Sequence, residues 1–235
     1  MKRFYDEVTV APVAEDDPAS VWQILLDGKP IRNHDGDAIV APTYVLASAI
    51  GDEWREVESK VEMHLMWMTR LAGGATSLRP DEADKLRQDI LEYAHTDLLC
   101  YFSDDAALNQ LQHEQWMPVL EGLQQHWCVK IVHTVGLMPV AQPDEVKNRV
   151  SQLLSEVTAY HLVAASRLVG LFGSLWLYLA CHLRLLSYDE AIARSFLDEH
   201  YQAKKWGEDA EALRARKSKK QEMQILARYL ELIER

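Results

Sequence analysis

The stretch DEHYQAKKWGEDAEA, Asp198–Ala212, gathers carboxylates, a histidine, a glutamine and a tryptophan around one glycine. Such a set could ligate a metal, move a proton, or grip another protein. Ligation fails on geometry. The histidine, His200, adjoins Glu199, and neighbours on a helix point about 100° apart. Elsewhere a single ExxH, Glu92 to His95, lacks the second copy that a di-iron helical site requires. Cys128 and His133 have no partners at zinc spacing. No metal is expected.

Proton transfer needs a carboxylate in unusual surroundings. Glu208, Asp209 and Glu211 follow a glycine, a place where acids usually cap the next helix. Glu199 differs. If one helix runs through it, Ile192, Phe196, Glu199, Ala203 and Trp206 share a face, and the carboxylate sits among apolar groups. A group placed there needs a partner or a raised pKa, so Glu199 is a candidate base. A satisfied boundary glutamate fits the same pattern. Gly207 should end the helix or kink it.

Substrate-site motifs are missing. The ten glycines show neither GxGxxG nor GxxxxGK[ST] spacing, and no GxSxG elbow occurs. No cofactor is expected. The net charge of −11 argues against a nucleic-acid or anionic-membrane partner. A basic patch interrupts this acidity: Lys204, Lys205, Arg214, Arg216, Lys217, Lys219 and Lys220. It reads as a solvated helix face or as a docking patch for an acidic partner. Seven tryptophans are many for 235 residues, and tryptophan serves both cores and partner surfaces. Three scattered cysteines, Cys100, Cys128 and Cys181, offer no disulfide framework and suit a reducing compartment.

The elements that must position these residues fall into two classes. FYDEVTVAPV, VWQILLDGKPI and IRNHDGDAIVAP read as short strands, with turns at Asp27-Gly28 and Asp35-Gly36. From Pro42 the period becomes helical. Gly73-Gly74 and Pro80 should break the next segment, the glycine pair acting as a hinge. Helices follow, opened by Asp81, by Asp104 or Asp105, by Pro143, and by a capping box at Ser187 and Glu190. The apolar run Leu168–Cys181 is too short to span a bilayer and reads as a core helix or helix pair. The expected architecture is α+β: a small N-terminal antiparallel β unit with a helix, residues 1–75, packed with a larger, mainly α-helical unit, residues 76–235.

Several stretches together resemble one family, the assembly chaperones for the α subunit of the F-type ATP synthase head, the ATP-twelve family. They are KRFY (Lys2–Tyr5), LDGKPI (Leu26–Ile31), LASAIGDEW (Leu46–Trp54), MTRLA (Met68–Ala72), YAHTDLLCY (Tyr93–Tyr101), QHEQWMP (Gln112–Pro118) and GSLWLYLA (Gly173–Ala180). The most specific is Asp198–Asp209, with Asp-Glu, then Gln, then Trp-Gly-Glu-Asp. The chain departs from the family at Trp67, where proline is usual, and near Ser77 and Phe102.

The resemblance implies a chaperone without catalysis. It would bind free α subunit through a surface that the β subunit later covers, as a monomer, with no cofactor and no membrane insertion. The setting would be a bacterial cytoplasm, or the mitochondrial matrix for a processed form. On this reading Glu199, Gln202, Trp206 and Asp209 form one helical stripe at spacings of three, four and three. With Gly207 and Glu208 they make a client-binding or hinge-bracing element. The competing expectation is an enzyme that uses Glu199 as acid or base on a small molecule in a cleft between the two units.

Overall fold

A computed structural model describes residues 1–14 and 20–234. The chain divides into two compact units. One holds Met1–Ala83, Thr158–Ala164 and Ala227–Arg235; the other holds Asp84–Val157 and Ala165–Leu226. The α+β expectation holds.

In the first unit, strands β1 (Val8–Pro12), β2 (Trp22–Leu26), β3 (Lys29–Pro30) and β4 (Val40–Ala41) form an antiparallel sheet in which β2 pairs with all three others. Asp27 and Gly28, at φ 48° and 77°, make the left-handed hairpin turn that their types announce. Helix α1 (Tyr44–Arg55) starts at Thr43, whose hydroxyl accepts from Leu46 N–H. It buries Leu46, Ala47, Ile50 and Trp54, the apolar stripe expected of a helix lying on a sheet.

Helix α2 (Trp67–Ser77) has no capping side chain of its own. Glu53 of α1 supplies one, accepting from Met68 N–H at 2.7 Å, Thr69 N–H at 2.8 Å and the Thr69 hydroxyl at 2.7 Å. Burial pushes the Glu53 carboxyl above its usual range, against those three donors. The expected break at Gly73-Gly74 does not occur, because α2 runs straight through the pair. A Cβ on Gly73 would lie 3.2 Å from Ile39 Cδ1, so this glycine serves close packing, whereas Gly74 faces open space.

The rest of the chain is mainly helical, and three of its helices begin or end in the first unit. After α3 (Pro80–Glu92) come short β5 (Tyr101–Phe102), α4 (Ala106–Trp127), β6 (Thr134–Val135), α5 (Asp144–Glu156), α6 (Ala159–Phe172), α7 (Leu175–His182), α8 (Tyr188–Ser195), α9 (Leu197–Trp206) and α10 (Ala210–Ile233). Strands β5 and β6 pair in parallel. The long apolar run resolves into a helix pair. Gly173, at φ 66°, turns the chain, and Ser174 caps α7 through Leu177 N–H. Every residue from Leu175 to Cys181 is buried. Among the described residues, no helix is long and apolar enough to cross a membrane.

Asp97 ties this core together. Its carboxylate is buried and accepts from Leu99 N–H at 2.9 Å, the Ser174 hydroxyl at 2.8 Å, Leu175 N–H at 2.6 Å and Trp176 N–H at 3.1 Å. Burial pushes its pKa up to about 7, with the four donors pulling the other way. The aspartate and GSLW signatures in the sequence are thus the two halves of one joint, 77 residues apart.

Candidate functional site

The stretch that began as a chemical puzzle forms a helical hairpin, α9–turn–α10. Three side chains of α4 and its N-cap anchor this region, two of them on α9 and one on the last turn of α8. Gln112 is buried; its Oε1 accepts from Ser103 N–H at 2.7 Å, and its Nε2 donates to Asp198 Oδ1 at 2.8 Å. Trp116, one turn on, donates its indole N–H to the Arg194 carbonyl at 3.2 Å. Asp105, the N-cap of α4, accepts from Ala107 and Leu108 N–H and from the Tyr201 hydroxyl at 3.0 Å. Its other oxygen takes Lys205 Nζ at 2.6 Å. The Lys205 hydrogen bond, ahead of the helix N–H groups, holds Asp105 down at about 2. Burial raises Asp198 instead, with Gln112 opposing and Glu199 adding to the rise.

The single long helix expected from Ser187 to Trp206 is two helices. The Ser187–Glu190 capping box opens α8 as expected. The helix then breaks at Phe196, with φ −98° and ψ 9°. In a continuous helix the Arg194 carbonyl would accept from Asp198 N–H. Here it accepts from Phe196 N–H and from the Trp116 indole instead.

This break overturns the expected surroundings of Glu199. Its side chain is 43% exposed, not enclosed by apolar groups. Its two oxygens face cations of α10: Oε1 lies 3.3 Å from Lys219 Nζ and Oε2 lies 3.4 Å from Arg216 Nε. Arg216 also pairs with Glu208 of the turn. Both carboxylate oxygens of Glu199 are thus engaged by side chains of this chain rather than presented to an apolar pocket. What the cluster does well is brace: it ties α9, the turn and α10 together.

The four-residue stripe is corrected too. Glu199, Gln202 and Trp206 lie on α9, but Gly207 ends that helix at φ 88° and ψ 167°, a conformation open to glycine. Asp209 therefore lies beyond the stripe. It caps α10, accepting from Glu211 and Ala212 N–H at 2.8 Å each. The turn nevertheless returns Asp209 to the same hollow, about 440 Å³, that Glu199, Gln202, Trp206, Gly207 and Glu208 also line. Trp206 is 71% exposed, while Trp54, Trp116, Trp127 and Trp176 are all buried. Lys205 Nζ lies 5.3 Å from the Trp206 ring centre. The arrangement offers an aromatic surface, a polar hollow and a braced backbone, which suits holding a partner.

Sequence reading missed Arg216 and Lys219 as partners of Glu199, placing them only in a general basic patch. They follow it by 17 and 20 residues, and only the Gly207 turn brings them back. Among the described residues, no group of three or more His, Cys, Asp or Glu side chains could hold a metal, and the three cysteines are unpaired by disulfides.

Comparison with known proteins gives consistent relatives. A family model described as ATP12 chaperone protein matches residues 2–124, more than half of the chain. Protein atp12, mitochondrial, of Schizosaccharomyces pombe is 25% identical over 202 residues, covering 80% of this chain and 69% of that protein. The crystal structure of Atp12 from Paracoccus denitrificans superposes with a TM-score of 0.91 at 30% identity, covering 99% of this chain and 98% of that one. A mutant of the same P. denitrificans protein, with lysine in place of an aspartate, superposes equally well. The Atu1473 protein of Agrobacterium tumefaciens is 34% identical, with a TM-score of 0.89 over 98% of this chain and 85% of that one. The α9–α10 hairpin lies outside the family-model match but inside these whole-chain superpositions.

Proposed function

We propose, since the chain belongs to the ATP12 chaperone family, that it is a non-enzymatic assembly chaperone of the F-type ATP synthase head. Its client is the free α subunit, held through the α9–α10 hairpin until the β subunit takes its place. The observation that carries this reading is Trp206, 71% exposed at the end of a helix whose position is braced from both sides. A large exposed aromatic on rigid backbone costs little entropy to dock and is the commonest kind of binding hot spot.

An unassembled subunit of an obligate complex displays the apolar area that its partner will bury. A chaperone that covers it over a smaller area holds it with moderate affinity. The incoming β subunit, with the larger interface, then displaces the chaperone without any need for nucleotide. The chaperone acts as a monomer where the head assembles, in a bacterial cytoplasm or a mitochondrial matrix.

The test is capture of purified α subunit, followed by addition of β subunit. Trp206→Ala should weaken capture by about thirtyfold, the effect of losing roughly 2 kcal/mol at a hot spot, with unchanged thermal stability. Glu199→Lys places a third cation beside Arg216 and Lys219 and opens the brace. It should abolish capture while leaving helix content intact. Wild-type chain that ignores α subunit, or that keeps it after β is added, refutes the reading.

A further inference from the structure

A second surface lies on the neighbouring face of the same hairpin. One hollow, about 510 Å³, has Ile192, Phe196 and Leu213 as its apolar walls and Arg216, Lys217 and Lys220 along its side. Another, about 490 Å³, is lined by Leu111, Leu197 and Tyr201 together with Lys204 and Lys205. His200 lines both, so the two hollows adjoin along α9. Each has the size of a site that takes side chains or a small ligand, within about 300–1,000 Å³.

The charges divide in an informative way. Lys205, Arg216 and Lys219 are each paired with a carboxylate of this chain. Lys204, Lys217 and Lys220 have no carboxylate partner among the described residues. This is notable in a chain with 36 acids against 25 lysines and arginines. The acid within the first hollow is Asp189; the acid near the second, Asp105, is already taken by Lys205. Three ammonium groups without a carboxylate among the described residues therefore flank a track of two apolar-walled hollows that meet at His200. A neutral or basic apolar segment would leave them uncompensated, and a small anion would leave the apolar walls unused.

We propose that this track docks an acidic, amphipathic segment of a partner protein. Its apolar side chains would fill the hollows on either side of His200, and its carboxylates would meet Lys204, Lys217 and Lys220. Charge pairs at such a rim set specificity and encounter rate more than raw affinity, so the binding should be salt-sensitive.

The probe is a labelled synthetic helical peptide with leucine on one face and glutamate flanking it, alongside a twin with glutamine for glutamate. Each is titrated against the full chain by fluorescence anisotropy. The acidic peptide should bind at least about tenfold tighter than its twin at low salt, and high salt should erase the difference. The double substitution Lys217→Glu and Lys220→Glu should lower that affinity by about tenfold or more, and Lys204→Glu should lower it less. Lys85→Glu on α3, also exposed, should change nothing. These lysines are on the surface, so circular dichroism should show every variant folded. Equal affinity for the two peptides, or undiminished binding by the double variant, overturns the proposal. Complete displacement of the acidic peptide by millimolar inorganic phosphate also overturns it, since the track would then be a small-anion site. Capture of α subunit by the same double variant reads the hairpin hollow separately, so failure at one surface is distinguishable from failure at the other.

Discussion

Replacing Gln112 with alanine tests how α9 is held. Both ends of this buried amide are in use: the oxygen takes Ser103 N–H at 2.7 Å and the nitrogen gives to Asp198 at 2.8 Å. Alanine strands two groups at once. Each buried or half-buried group left unsatisfied costs about 1–3 kcal/mol, so the two together should cost about 2–6 kcal/mol. Gln112→Met keeps most of the volume and none of the bonds, so it should lose nearly as much.

Gln112→Glu separates charge from contact. It preserves the acceptor for Ser103 but faces one carboxylate with another. Burial already raises Asp198, and the added charge raises it further. A raised carboxyl contributes its full stability below the unfolded-state pKa of about 4, and that contribution is lost as pH rises through the folded value. The variant should therefore be weakest at pH 8 and recover toward pH 5, a steeper fall with rising pH than wild type shows. Urea unfolding followed by circular dichroism, with unchanged denaturant slope, reads all three variants. In a double-mutant cycle with Asp198→Ala the two changes should couple by at least about 0.5 kcal/mol. A Gln112→Ala protein within about 0.5 kcal/mol of wild type, or strict additivity in the cycle, would refute this account.

Other outcomes follow from the same geometry. Gly207→Val forces a β-branched residue to φ 88° and should cost about 1–3 kcal/mol by chemical denaturation. Gly74→Ala, in open space within α2, should stabilise by about 0.5–1 kcal/mol, while Gly73→Val should raise no melting temperature, because Ile39 occupies the space a side chain needs. Asp97→Ala strands four donors around a buried site and should lower stability on the order of 4 kcal/mol, visible as a large drop in melting temperature.

The parts of the fold that were legible in the sequence are those decided locally. The Asp27-Gly28 turn, a cap at Asp104 or Asp105, the Ser187–Glu190 box and an interruption at Gly207 each depend on a few neighbouring residues. What the sequence concealed was decided by distant partners. Arg194–Asp198 contains nothing that forbids a helix, and the break appears because Trp116, 78 residues earlier, claims a carbonyl. Gly73-Gly74 looks like a hinge until Ile39 is placed against it. Glu199 looks like a buried base until the hairpin closes and brings Arg216 to its side. The stretch could be singled out from residue types, but the partners of Glu199 could not, because they come from another helix.

The Asp105–Lys205 pair carries a further consequence. Its carboxyl, held at about 2, keeps its stabilising charge at every pH above the ordinary carboxylate range and surrenders it only as pH falls through that low value. Acidity within the physiological range therefore has no purchase on this clasp. Dissolved ions do, since both side chains are partly exposed and surface pairs weaken as the screening length shortens. Trp206 is the residue immediately after Lys205. Salt should therefore loosen this one contact at the end of α9, beside Trp206, while mild acid leaves it in place, and the Gln112–Asp198 bond remains in both.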